Sequence, residues 1–379
     1  MSPLRSPRAG DDPRGDQRSW LVGPGACALV GLGLHLALVG GLLVEHGDAA
    51  WFVHFGNRAT RIVGLARREI GPAVLVPHVN GHDGQSFWVL ARDPLLLDGK
   101  QDTALLDRPS YRAQRMLYPT LASPFRYAGE RQLLWGLIAV NLAAVALGTY
   151  ATARLAAALR APPLVGLAFA LNPAVVVAVV ADVADALALA ALMAAVLLAV
   201  RGRWVSAVVM GVAAALSKEV MVLSLLCVAI GAVGATRRVR LLFVGVPSCA
   251  VAIWALYARW RLGWPATSVQ EVSWPFVGYV QAWRHDWAPV GNWYDAVVAF
   301  ALLPAAAMVI YRWWQRRSLL MAAALPFALL VPFMTAQVLN VAINSLRVFG
   351  PALTLTTIDV FAAPRRLSPA ADLTMAPAH

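Results

Sequence analysis

The sequence predicts an all-α polytopic membrane protein of about ten transmembrane helices, with a long first external loop containing amphipathic helices. Three observations carry this. Of 379 residues, 59% are hydrophobic and only 14% are charged, a charge content low for a soluble domain. The mean hydropathy is +0.63. Apolar runs recur along the chain at or near the roughly 20 residues that cross a bilayer as a helix.

The net charge of +12 is scattered between the apolar runs rather than gathered into one basic face. Anionic lipid headgroups and topology account for it better than nucleic acid, so the bilayer is the expected partner and nucleic acid is not. Cys27, Cys227 and Cys249 all lie inside apolar runs. They have no metal-ligand spacing and form no disulfide framework. The Ala, Arg, Gly and Pro bias is that of a GC-rich bacterial genome, and the expected location is the bacterial inner (plasma) membrane.

In chain order, residues 1–19 carry Arg5, Arg8, Arg14 and Arg18 among Pro and Gly and read as a disordered basic cytoplasmic tail. The membrane domain takes 20–363. Its first span, about 20–44, is too long for the apolar core of a signal peptide and is read as retained. Residues 48–70 mix Trp51, Phe52, Phe55 and Ile62 with Arg58, Arg61, Arg67 and Arg68, the composition of a helix lying at the membrane interface. Further spans are expected at about 132–151, 164–180, 186–200, 204–216, 220–235, 241–258, 296–311, 318–339 and 341–361. External loops are expected at 45–131 and 259–294, the second holding Trp260, Trp264, Trp274, Trp283, Trp287 and Trp293, and 364–379 is a C-terminal tail.

Short segments on one side carry Arg154/Arg160, Arg201/Arg203, Arg237/Arg238/Arg240, Arg312/Arg316/Arg317 and Arg365/Arg366, whereas the short turns on the other, at 181–185, 217–219 and 340–346, contain only Lys218 as a cation. This asymmetry puts the N-terminus inside.

The interval His78–Leu121, HVNGHDGQSFWVLARDPLLLDGKQDTALLDRPSYRAQRMLYPTLA, is the long polar stretch around which the chain is organised. Asp83 sits between Gly81 and Gly84, followed by Arg108, Arg112 and Arg115. A carboxylate on an open turn beside guanidiniums suits holding an anion and removing a proton nearby. The plain alternative is a solvated loop joining two membrane helices. On the predicted topology Asp83, Arg112 and Arg115 share the external face with Asp182 and Asp185, with Lys218 and Glu219, and with Asn340, Asn344 and Arg347. Charges at membrane segments are costly and are functional candidates by default. Each also has a bland account: helix ends for Asp182 and Asp185, a local ion pair for Lys218–Glu219, snorkelling for Arg347, an aromatic belt for the tryptophans. His78 and His82 flank Asp83 closely enough to suggest a metal, but two histidines and one aspartate in a loop do not define a site.

Gly-His-Asp-Gly-Gln with Ser86 and Phe87, then D-R-P-S-Y-R-A-Q-R-M-L-Y-P over 107–119, after a first helix, resembles bacterial polytopic proteins of the glycosyltransferase C-fold (GT-C) superfamily, of the cell-surface glycopolymer formation type. The resemblance is specific at 81–87 and 107–119 and otherwise covers the layout. It implies transfer of a sugar, with inversion, from a polyprenyl-phosphate-linked donor to an envelope glycan or glycolipid acceptor on the external face. Asp83 is then the catalytic aspartate. Arg112, Arg115, Lys218 and Arg347 are the expected phosphate ligands, and His82, Gln85, Tyr118, Asp182, Asp185, Glu219 and Asn344 support them. The chain departs from the pattern at His82, where an aromatic residue is common, and in lacking a paired acidic motif in this loop. It implies no definite cofactor and leaves a divalent metal open. The competing readings are a lipid or polysaccharide transporter or flippase, against which stands the absence of an internal repeat, and a non-catalytic partner in an envelope-assembly complex.

Overall fold

A computed structural model describes residues 23–76, 81–97, 102–232, 234–263 and 272–362. The two terminal tails, His78, Trp264, Arg365 and Arg366 lie outside these.

The described residues are overwhelmingly helical, and the only β pairing among them is an isolated bridge between Val272 and Met334. The chain begins with α1 (Pro24–His46), which opens on a proline and closes on Gly47 in the left-handed region, φ 77°, the usual asymmetry of helix ends. Short helices follow: α2 (Ala50–Val53), α3 (Thr60–Glu69), α4 (Asp83–Arg92), α5 (Pro109–Arg112) and α6 (Leu117–Ala122). Then come α7 (Glu130–Ala158), α8 (Leu167–Ala170), α9 (Pro173–Val180), α10 (Asp185–Val200), α11 (Trp204–Ser217), α12 (Met221–Gly231) and α13 (Arg237–Leu262). The last third holds α14 (Val277–Ala282), α15 (Ala288–Val290), α16 (Trp293–Arg316), α17 (Leu319–Leu330), α18 (Ala336–Leu339) and α19 (Ala342–Phe361).

Among the described residues four helices, α1, α7, α13 and α16, are long and apolar enough to cross a membrane. A fifth crossing arises if Pro163–Ala170 and α9, bent by 47°, act as one broken span. The bend falls where Asn172 caps α9 by accepting from the Ala174 amide, with Pro173 opening the new helix. The remaining predicted spans coincide with shorter helices or, at 341–361, with α19. Prolines sit inside α13, α16, α17 and α19, a placement that apolar helices tolerate when neighbours satisfy the freed backbone groups.

The predicted polar loop 45–131 is a folded cap. In α4 every residue from Gly84 to Arg92 is buried, Phe87 and Trp88 included. The α3 stripe of Ile62, Val63, Leu65 and Ala66 is buried in the protein as well. It therefore packs against its own chain rather than lying on lipid, because the cap supplies the apolar partner that an isolated interfacial helix would seek in the bilayer. Of the described tryptophans in 259–294, Trp287 is fully buried while Trp260, Trp274, Trp283 and Trp293 are exposed.

Candidate functional site

Two close approaches fix α4 and α19. A Cβ on Gly84 would lie 2.5 Å from the Ala181 carbonyl oxygen and 2.8 Å from that of Val53. Only glycine lets the first turn of α4 wedge between these backbones, and Asp83 is thereby set against the turn that begins α10. On α19, Asn172 donates to the Gly350 carbonyl at 2.6 Å and to Thr354 at 2.9 Å, while Asp295 of α16 accepts from the Ala342 amide at 2.7 Å. These contacts seat the start of α19, and Arg347 comes to face both Asp83 and Asp185.

The resulting network runs through five elements. Lys218 Nζ lies 2.5 Å from Asp185 Oδ1. Arg347 donates to Asp185 Oδ2 through Nε at 3.0 Å and Nη2 at 2.7 Å, and to Asp83 Oδ2 through Nη2 at 3.1 Å. Arg112 Nη1 donates to Asp83 Oδ1 at 2.6 Å and holds Asp107 through two further bonds of 3.0 and 3.2 Å. Arg115 grips Glu219 through two bonds, of 3.2 and 3.0 Å, and donates to the Tyr111 hydroxyl at 3.1 Å. Asn344 touches Arg347 at 3.5 Å.

Several expectations change here. Asp83 is not an open carboxylate, for both its oxygens accept from guanidiniums. Burial pushes its carboxyl up, but Arg347, then Arg112, with His82 and Arg115 behind them, hold it well below the usual carboxylate range. Lys218 and Glu219 are not paired with each other, because Lys218 reaches Asp185 and Glu219 reaches Arg115. Arg112 and Arg115 do not share one helix, since α5 ends at Arg112. They are joined instead by Tyr111, whose ring lies 5.9 Å from the Arg112 guanidinium and 5.4 Å from that of Arg115.

The other supporting residues divide. His82 precedes α4, and its amide donates to the His54 carbonyl. Gln85 is buried, and its Oε1 accepts from the Gly56 amide at 3.3 Å, a brace for the turn. Tyr118 and Asp182 lie in a second, fully buried cluster. There the Tyr118 hydroxyl donates to the Leu137 carbonyl at 3.1 Å and sits 3.5 Å from Asp182 Oδ1, and Asn141 donates to that hydroxyl at 2.8 Å. Asp182 takes no ion-pair partner among the described residues and has φ 46°. Among the described residues no three His, Cys, Asp or Glu side chains stand together as metal ligands. With Asp83 committed to two arginines, these side chains do not fit a divalent metal, and no step is assigned to one.

An open cleft of about 480 Å³ reaches this network, lined by Asp83, His82, Gln85, Arg112 and Asn344 together with residues 58–62. A small recess beneath Asp83 is bounded by Ser86, Phe87, Tyr111, Arg112 and Arg115. Sequence reasoning missed Tyr111, although its place next to Arg112 and one helical turn before Arg115 was a signal. It also missed the C-terminal part of α13. There Trp254 donates to the Ala113 carbonyl, Tyr257 to that of Leu95, and Arg261 to those of Leu96 and Leu97, at 2.6–2.7 Å. These bonds tie down a segment ahead of the arginines and the turn between Arg112 and Arg115.

Comparison with protein-family models, with curated proteins and with solved structures finds no match.

Proposed function

We propose that this protein is a membrane glycosyltransferase of GT-C type, moving a sugar from a polyprenyl-phosphate donor to a glycan or glycolipid acceptor. The bacterial plasma membrane holds it in ten spans with the N-terminus inside, as the division of short-segment arginines indicates, and the work is done on the external face. The observation that carries the reading is the gathering of Arg112, Arg115, Lys218 and Arg347 around Asp83, Asp185 and Glu219, with Asp83 and Arg112 lining an open cleft, in an otherwise apolar molecule. Guanidiniums bind phosphate through paired hydrogen bonds.

At rest Asp83 is ionised but weakly basic. A donor phosphate competing for Arg112 and Arg347 draws those guanidiniums off the carboxylate and restores its basicity. The acceptor hydroxyl then gives its proton to Asp83, and its oxygen forms the new bond to the anomeric carbon. The bond from that carbon to the phosphate oxygen breaks, and the polyprenyl phosphate leaves with its charge held by Arg115, Lys218 and Arg347. One displacement inverts the anomeric centre.

One observation favours a second reading, a non-catalytic partner in an assembly complex: each of the four cations already touches a carboxylate, so the network is complete without substrate. Purified protein with a radiolabelled polyprenyl-phosphate sugar separates them. Turnover supports the transferase, binding without turnover the partner, and movement across a liposome bilayer the transporter. Absence of turnover with every donor sugar offered would sink the first reading.

A further inference from the structure

The cleft's chemistry says what kind of acceptor it takes. Asp83 is held by Arg112 and Arg347, and Asp107 by Arg112, so the carboxylates lining the cleft are already neutralised from the floor. The lining adds two further cations, Arg58 and Arg61. Both are exposed, and Arg61 forms no ion pair with any carboxylate among the described residues. They are not loose surface charges, because Arg61 belongs to α3, whose apolar stripe is buried in the cap and fixes its outer edge. The lining, moreover, includes no Trp, Tyr or Phe among the described residues. Neutral sugar rings are commonly held on flat aromatic faces, and this cleft offers guanidiniums instead. Its volume lies within the range of small-molecule sites, about 300–1,000 Å³.

We propose that the cleft receives an anionic glycan, whose carboxylate or phosphate substituent is held by Arg58 and Arg61 while a neighbouring hydroxyl reaches Asp83. The inference rests on the transferase reading only in taking the cleft as the acceptor's place. Guanidiniums recognise carboxylate and phosphate alike through paired bonds, so both substituents belong to the proposal. Anionic lipid headgroups are the competing ligand for two exposed arginines near a membrane.

The test uses full-length protein in phosphatidylcholine nanodiscs. Dissociation constants are measured by ligand-observed NMR for cellobiose, its uronic acid and its 6-phosphate. The acid and the phosphate should bind about tenfold more tightly than cellobiose, what two partly exposed charge contacts supply together. R58Q/R61Q should bring the acid and the phosphate down to the affinity of cellobiose, while R58K/R61K should keep most of the preference, which separates charge from folding. Equal binding of the three probes by the wild type, or an undiminished preference in R58Q/R61Q, overturns the proposal. So does loss of the preference when phosphatidylglycerol replaces part of the lipid at fixed ionic strength, which would assign the arginines to headgroups. Transfer to the three probes from a radiolabelled donor is scored separately. Preferential binding without transfer leaves the anionic site standing and counts against the transferase.

Discussion

Arg347 Nη2 donates to Asp83 Oδ2 at 3.1 Å across 264 residues of chain, and the same nitrogen donates to Asp185 Oδ2 at 2.7 Å. One guanidinium thus joins the start of α4, the start of α10 and α19, and its side chain is only 9% exposed. Breaking a buried ion pair from one side costs about 3–5 kcal/mol, because the remaining charge is left uncompensated. Here Asp83 keeps Arg112 and Asp185 keeps Lys218, so the loss is partly offset. Arg347→Gln should lower stability by about 1–3 kcal/mol, read as a fall in the thermal midpoint of detergent-solubilised protein. In a double-mutant cycle with Asp185→Asn the two losses should not add. Full additivity would show that the contact contributes nothing.

The acid limb of stability follows from Asp83. Its folded carboxyl is held well below the usual range by Arg347 and Arg112 against the upward push of burial, while an unfolded aspartate titrates near about 3.9. As pH falls, the unfolded chain therefore takes the proton first. The contribution of Asp83 is present above about pH 4 and is lost as pH drops from there through the folded value. The gap in thermal midpoint between wild type and Asp83→Asn should be constant from about pH 7 to about pH 5 and narrow below about pH 4. Arg112→Gln should raise the folded value, so that the narrowing still begins near about pH 4 but is smaller and is complete at a higher pH. A gap that does not change with pH would mean that the carboxylate's charge is not what the arginines hold.

Arg115 is held differently, with two bonds to Glu219 and one to Tyr111. A donor phosphate meets a guanidinium already oriented but partly neutralised. Arg115→Ala should raise the donor KM by about tenfold or more, the size of one lost charged hydrogen bond, with Lys restoring part of it. Glu219→Gln should lower the donor KM, since it leaves Arg115 without its competing anion. Unchanged donor kinetics in both variants would remove Arg115 from the phosphate site.

How much of this was legible depended on whether a residue acts through its neighbours in sequence or through distant chain. Hydropathy located α1, α7, α13 and α16, with ends off by two to seven residues, because a long apolar run has one good structure in lipid. The set Asp83, Arg112, Arg115, Asp185, Lys218, Glu219, Asn344 and Arg347 was legible as polar outliers on one predicted face, and the structure gathers all of them. The pairing was not legible. Lys218 reaches back 33 residues to Asp185 and Arg115 forward 104 to Glu219, choices made by how distant elements pack rather than by any local pattern. The same polarity misled at Tyr118 and Asp182. They sit in the right segments but turn into a separate buried cluster with Asn141, whose place within the apolar α7 marked it as unremarkable. The external loop was expected to hold amphipathic helices, but not to bury them as a cap, because helices of 4–10 residues are too short for periodicity to say what their apolar sides meet.

Topology is tested at two exposed positions on a cysteine-free background. Tyr127 is 96% exposed, between the cap and α7, and Arg203 lies in the turn between α10 and α11. With the N-terminus inside, Tyr127→Cys should react with a membrane-impermeant maleimide in intact cells, and Arg203→Cys only after permeabilisation. The reverse pattern would turn the protein over and put the cleft on the cytoplasmic side.

Asp83→Asn is the sharpest test of the proposed chemistry. Asn keeps the size of the side chain and one acceptor oxygen, and Gly84 still lets α4 wedge between Val53 and Ala181. It cannot accept the acceptor's proton, and it loosens the hold on both Arg112 and Arg347. A catalytic base is worth about 10²–10⁴-fold in rate, so transfer should fall by at least about a hundredfold. The two arginines, relieved of their carboxylate, remain available to phosphate, so donor binding should be kept or strengthened. An Asp83 that only organises its arginines predicts something else: a modest loss of rate together with weaker donor binding, because the guanidiniums wander. The split between rate and donor affinity therefore decides the role. Near-normal transfer by well-folded Asp83→Asn would leave Asp83 as the pin of an ion-pair network and nothing more.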